Sequence, residues 1–143
     1  MAGEIHSGCC MCGAVRFRGE GAPVRVGLCH CETCRRNTGT MFLTFAVFPR
    51  DRLVIEAGET GYLQSSPEGR RHFCRDCGSP VFSEWSDSDS FDVYLGSLDD
   101  PHTLRPTYEL LWGGRAPWLA DMPDLLRFER HLPSGVETPG KEA

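Results

Sequence analysis

Seven of the eight cysteines fall into three tight groups, and any fold open to this chain must bring their sulfurs to an acceptable end. The groups are Cys10-x-Cys12, Cys29-x-Cys31-x-x-Cys34 and Cys74-x-x-Cys77-Gly78. Thiolates at such spacings suit a tetrahedral metal ion, which takes four in a structural site and three plus an open position in a catalytic one. Disulfides fit less well. Frameworks of disulfides spread their cysteines, and neighbours two apart in an extended segment point the same way and do not readily bridge. The N-terminal residues Met1-Ala2-Gly3-Glu4-Ile5-His6 show neither a basic nor an apolar region, so no secretory signal is expected. A cytoplasmic location follows as an expectation, and there cysteine clusters read as metal sites.

A chain of 143 residues is long enough to bury a real core as one domain, expected over residues 1–132. The polar, Pro-, Gly- and Glu-containing stretch 133–143 is expected to be a disordered tail. The formal net charge of −5 argues against a nucleic-acid partner, because phosphate binding wants a basic face. A small anion held by a few local arginines stays open. No apolar run approaches the roughly 20 residues of a membrane span, so no membrane partner is expected.

Alternating and apolar runs predict about nine or ten short strands with turn signals every eight to twelve residues or so. Candidates are Ile5–Gly8, Ala14–Arg18, Val24–Leu28, Met41–Phe48, Leu53–Glu56, Tyr62–Gln64, Arg71–Phe73, Pro80–Trp85, Phe91–Leu95 and Tyr108–Trp112. Met41–Phe48 is apolar almost throughout and reads as a central strand buried on both faces. A basic helical turn follows Cys31 and is stopped by Gly39; a second turn near Pro101 has aspartate to cap it. Residues 113–118 read as a loop. The fold class is mainly β, an all-β sandwich or barrel-like arrangement.

The pairs Cys10, Cys12 and Cys74, Cys77 together make four thiolates, enough to close a structural site and tie the N-terminal hairpin to the middle of the chain. Cys29, Cys31 and Cys34 are then left as three ligands with an open position, the pattern of catalytic zinc. Two other partitions stay open: His30 as a fourth ligand, or the triple completed by Cys74 or Cys77 around a single metal. Zinc held by three thiolates already carries net negative charge. It acidifies water poorly and better suits a soft sulfur ligand.

With these motifs in place, the chain resembles the glutathione-dependent formaldehyde-activating enzymes, a zinc family with a centromere-protein-V-like branch. The resemblance rests on Gly8-x-Cys10-x-Cys12-Gly13-Ala14-Val15-Arg16-Phe17, Cys29-His30-Cys31-x-x-Cys34-Arg35 and Phe73-Cys74-x-x-Cys77-Gly78-Ser79-Pro80. Gly96-Ser97-Leu98-Asp99-Asp100-Pro101 and Arg115-Ala116-Pro117-Trp118 add to it. It implies an Mss4-like fold of small antiparallel sheets around two zinc sites, with few short helical turns. It implies two Zn2+ per chain: Cys10, Cys12, Cys74 and Cys77 structural, and Cys29, Cys31 and Cys34 catalytic. The implied activity is carbon–sulfur lyase chemistry joining formaldehyde and glutathione as S-hydroxymethylglutathione, or the reverse. A non-catalytic module carrying glutathione or a thiol adduct is the alternative.

Glutathione carries carboxylates, so an acidic chain needs local cations to hold it, and arginine suits bidentate carboxylate binding. Arg35 and Arg36 adjoin the triple, Arg115 lies between Trp112 and Trp118, and Arg70 and Arg71 are further options. Arg35, Arg36, Arg115 and Trp118 are the substrate-binding candidates. His72 is a candidate donor to a cysteine sulfur or a plain strand residue.

Overall fold

The run Leu43–Pro49 forms the strand around which the molecule is laid out, and both of its faces are covered. In the computed structural model, which describes residues 3–124 and 128–130, ten strands and one α-helix are joined by short 3-10 turns. The strands are β1 (Ile5–Cys9), β2 (Arg16–Glu20), β3 (Arg25–Cys29), β4 (Leu43–Pro49) and β5 (Leu53–Ala57). They continue as β6 (Thr60–Gln64), β7 (Gly69–Cys74), β8 (Pro80–Trp85), β9 (Ser90–Tyr94) and β10 (Tyr108–Leu110). Helix α1 covers Glu32–Thr38.

The strands make two sheets, one of order β1-β2-β5 and one of order β10-β3-β4-β9-β8-β7-β6. Every pairing is antiparallel except β10 with β3, which runs parallel over three residues. The fold is mainly β, as expected, but both sheets stay open, so barrel closure does not occur among the described residues. The predicted loop at 113–118 holds two 3-10 segments, Trp112–Gly114 and Pro117–Asp124, the second opened by a proline whose fixed φ suits a first helical position. Asp100 caps the turn Pro101–Thr103 through its carboxylate, which accepts from the His102 amide. The expected tail, 133–143, lies outside the described residues.

Because successive strand residues face opposite sides, β4 feeds two separate cores. Ala46 and Phe48 join Phe17, Val81, Phe82 and Val93 in the larger one, which also takes in Cys10 and Cys74. Leu43, Phe45 and Val47 join Tyr94 in the smaller one, together with Cys29 and Cys34. Each sulfur group thus contributes to the packing of a different side of the same sheet. The bare α-carbon of Gly27 lets Tyr108 of β10 lie against β3: a Cβ there would meet the Tyr108 ring at 2.5 Å.

Asp92 on β9 accepts a hydrogen bond from Trp85 Nε1 at 2.8 Å, and burial pushes its carboxyl up to about 6. A carboxyl raised on folding adds stability below its unfolded value near 3.8 and loses it as pH climbs through about 6, so above that the ionised group is a cost. Asp92→Asn keeps an acceptor for Trp85 and removes the charge. The variant is expected to melt about 4 °C above wild type near pH 8, with the gap closing only near pH 4. Melting curves at the two pH values check this, and a pH-independent difference would refute it.

Candidate metal centres

The first centre is built from two turns. Cys10 and Cys12 do not lie on an extended segment, as the i, i+2 spacing suggested. They sit in a tight turn closed by the Gly13 amide donating to the Cys10 carbonyl at 3.1 Å. The second turn is closed by the Gly78 amide on the Cys74 carbonyl at 2.8 Å. Gly13 and Gly78 follow their cysteines at φ +82° and +78°, a conformation glycine adopts without side-chain strain. The Cys10–Cys12 sulfurs are 3.6 Å apart and the Cys12–Cys74 sulfurs 3.7 Å. A tetrahedral zinc with bonds of about 2.3 Å requires sulfurs about 3.8 Å apart. All four sulfurs lie within 4.8 Å of one another, so the set fits such an ion. Cys10 Sγ also accepts from the Val15 amide at 3.3 Å, and Cys77 Sγ lies 3.1 Å from the Ser79 hydroxyl. That hydroxyl contact, with backbone donors, draws the Cys77 thiol down to about 6.

The second centre gathers Cys29 at the end of β3, Cys31 before α1 and Cys34 within it, again with sulfurs inside 4.8 Å of one another. Cys31 is the N-cap of α1: its sulfur accepts from the Cys34 amide at 3.1 Å. Gly39 ends the helix in the left-handed region with its amide on the Arg35 carbonyl. Cys29 and Cys34 are buried and Cys31 half-buried. Burial pushes the Cys34 thiol up to about 12, with Cys31 beside it reinforcing the rise and Arg71 opposing it. Three sulfurs this close do not all ionise without a cation among them, and a divalent metal is the natural one. All eight cysteines are free of disulfides.

No fourth protein ligand joins this triple among the described residues. His30 turns the other way. Its ring is 3% exposed, its Nε2 lies 3.1 Å from Glu109 Oε1, and its edges meet the Phe42 and Trp112 rings at 5.8 Å. Its Nδ1 has no hydrogen-bond partner among the described residues. Cys74 and Cys77 belong to the other cluster. The charge close to the triple comes from Arg71, which is 5% exposed and points Nη1 at Cys34 Sγ from 3.6 Å. Its Nε donates to the Ser65 hydroxyl at 3.1 Å, and no carboxylate pairs with it among the described residues.

Two hollows open beside the triple. One, of about 360 Å3, is lined by Cys31, Glu32, Arg35 and the Gly113-Gly114 turn. The other, of about 670 Å3, is walled by β10 and the segment after it and holds Arg115 at its edge. They share His30 and Gly113. Of the arginines singled out from the sequence, Arg35 and Arg115 reach these hollows. Arg36 instead pairs with Glu32 at 2.8 Å, on the exposed side of α1. Trp118 is 41% exposed and lines neither hollow, whereas Trp112 walls the larger one under the Arg115 guanidinium at 3.9 Å. His72 is a strand residue, with Nδ1 on Thr60 Oγ1 at 2.7 Å and Nε2 on Glu84 Oε2 at 2.9 Å. Arg71 beside Cys34 and Glu109 beside His30 were not legible as partners, since 37 and 79 residues of chain separate them. No helix among the described residues is long and apolar enough to cross a membrane.

Comparison with known proteins finds relatives of the sequence and of the fold. An uncharacterised lyase of Schizosaccharomyces pombe is 30% identical over 77 residues, covering 54% of this chain and 56% of its own. A Halomonas elongata protein provisionally named glutathione-dependent formaldehyde-activating enzyme is 34% identical over 86 residues, covering 54% of this chain and 55% of its own. The chain thus spans about half the length of the curated relatives it matches. A crystal structure of a Rhodobacter sphaeroides protein, a structural-genomics target, shares the fold with a TM-score of 0.58 at 23% identity, over 72% of this chain and 98% of that one. The family model for the glutathione-dependent formaldehyde-activating enzyme matches residues 5–114, which takes in all seven clustered cysteines and all ten strands. The chain belongs to the glutathione-dependent formaldehyde-activating enzyme family.

Proposed function

We propose that this chain is a zinc-dependent carbon–sulfur lyase that forms or cleaves the adduct of formaldehyde with glutathione or another thiol. The observation that carries the proposal is the three-sulfur cluster without a fourth protein ligand, opening through Cys31 onto a hollow lined by Arg35. A zinc ion held by Cys29, Cys31 and Cys34 would supply a soft cation with one position free for sulfur. Cys10, Cys12, Cys74 and Cys77 would hold a second zinc with a structural role, making two per chain. Arg35, in the smaller hollow beside Cys31, is the cation placed to receive a peptide carboxylate, Arg115 lies across the shared wall at the larger hollow, and Arg71 balances the thiolate charge from the buried side. Residues 1–132 act as a single domain. In the synthetic direction the sulfur–carbon bond forms, the carbonyl π bond opens, and the thiol proton ends on the former aldehyde oxygen.

Titration of the zinc-loaded protein with glutathione, followed by exchange-rate measurement of adduct formation with formaldehyde, tests this. Binding with a rate above the uncatalysed one is expected for wild type. Cys34→Ser should lose both, with bound zinc falling from about two to about one per chain. Binding without acceleration would instead support a carrier of glutathione or its adduct. The absence of both binding and acceleration would rule out this substrate.

A further inference from the structure

The larger hollow is poorly matched to the proposed reactants. At about 670 Å3 it has the size of a site for a complete small ligand. A hydroxymethyl group adds only one carbon and one oxygen to the thiol and needs no such room. The walls are Leu28, Phe42, Trp112, Ala116, Pro117 and Leu119. The polar groups are few and mostly engaged, the exception being His30 Nδ1, which finds no partner among the described residues. His30 Nε2 is on Glu109, while Arg115 stacks over Trp112 and donates through Nη1 to the Trp112 carbonyl at 3.0 Å. A tripeptide with two carboxylates, an ammonium and two amides would be desolvated there with few partners, which is costly. The smaller hollow, with Arg35 and Glu32 at the mouth of the triple, suits those groups better.

We infer that the larger hollow receives an apolar or aromatic substituent on the carbon next to the substrate sulfur. The substrate class is then thiol adducts of apolar aldehydes, with the formaldehyde adduct as its smallest member. The inference rests on the lyase proposal and narrows its substrate. The shared wall of His30 and Gly113 puts the two hollows side by side, so a thiol portion near Cys31 and Arg35 leaves its substituent facing Phe42 and Trp112. The reaction keeps the same balance. Sulfur bonds to the carbonyl carbon, the carbonyl π bond opens, and the thiol proton ends on oxygen, with no oxidant or reductant required.

Calorimetry on the zinc-loaded full chain tests this with three ligands: glutathione, S-methylglutathione and S-hexylglutathione. Each methylene that leaves water strengthens binding by about fourfold, so the hexyl compound should bind at least about tenfold more tightly than the methyl one. Ala120 lines the same hollow with an exposed side chain, and Ala120→Trp fills the space. In that variant the hexyl-to-methyl affinity ratio should fall toward one. Glutathione binding without a hexyl advantage overturns this inference and leaves the lyase proposal standing. A ratio unchanged by Ala120→Trp also overturns it. If none of the three binds, both fail.

Discussion

Cys74→Ser is expected to leave the chain without a stable fold. Cys74 is 1% exposed, its sulfur sits 3.7 Å from that of Cys12, and it belongs to the same core as Phe17 and Phe48. The cluster it completes joins turns more than sixty residues apart, and no packed helix replaces that link. A structural zinc site is worth roughly 10–16 kcal/mol of apparent binding in small domains, whereas a whole domain is stable by about 5–15 kcal/mol. Loss of one thiolate ligand weakens the site enough to consume most of that margin. Far-UV circular dichroism and zinc content of the purified variant decide the matter. A folded variant that retains all its zinc would show that these four cysteines do not form a structural centre. Chelation of wild type should reproduce the same unfolding, since the metal and the fold are linked.

The second large effect is expected at Arg71, and its sign separates two roles. A buried guanidinium 3.6 Å from Cys34 Sγ can act as an inner counter-charge to three thiolates around one divalent ion. Alternatively it can serve as packing against Trp85, whose ring lies 5.9 Å from the Arg71 guanidinium carbon. Arg71→Met preserves much of the apolar stem and removes the charge. As a counter-charge, its loss should weaken zinc retention at the triple by roughly 10- to 100-fold, the usual effect of removing an outer partner of a metal ligand. Arg71→Lys should recover part of it, since it keeps the charge without the planar fork. Competition with a chromophoric chelator measures this directly, and the four-cysteine centre in the same molecule serves as an internal reference. Unchanged retention in Arg71→Met would leave only the packing role. Cys34→Ser carries a related cost, because it strands a buried cation, an arrangement that costs about 3–5 kcal/mol when one partner is deleted. The double variant Cys34→Ser, Arg71→Met should therefore be more stable than Cys34→Ser alone.

The parts of the molecule that were legible in the sequence are those set by short spacing or by uniform burial. Cysteine spacing marked the two pairs and the triple, because short turns bring their ends together whatever surrounds them, but which pair joins which stayed open until the fold set two turns 62 residues apart side by side. The apolar run of β4 marked the central strand because a strand covered on both faces has no polar side to show. Asp100 and Gly39 announced their turns through cap chemistry that acts within a few residues. What stayed hidden depends on which strands become neighbours. Arg71 lies beside Cys34 only because β7 joins the sheet that also carries the smaller core, and a charged residue in a sequence looks solvated until its neighbours are known. His30 and Glu109 meet because β10 returns parallel to β3, a pairing that no local pattern of three residues encodes. The nearness of Arg36 to the triple in sequence was misleading for a simple reason. One residue along a helix is a rotation of about 100°, which carries Arg35 toward the hollow and Arg36 toward solvent.

The parallel strand β10 has a consequence for how ligands enter and leave. Its ladder to β3 spans three residues at the margin of the larger sheet, yet it carries Glu109 and leads directly into the wall formed by Trp112 and Arg115. Segments with so few backbone hydrogen bonds open at a small fraction of the free energy needed to unfold the domain. The four-cysteine centre is anchored elsewhere, on its two turns, and of the triple only Cys29, opposite Leu110, touches this ladder. The cavity wall can therefore swing aside and return while the four-cysteine cluster keeps its shape, which makes access to the larger hollow a local event.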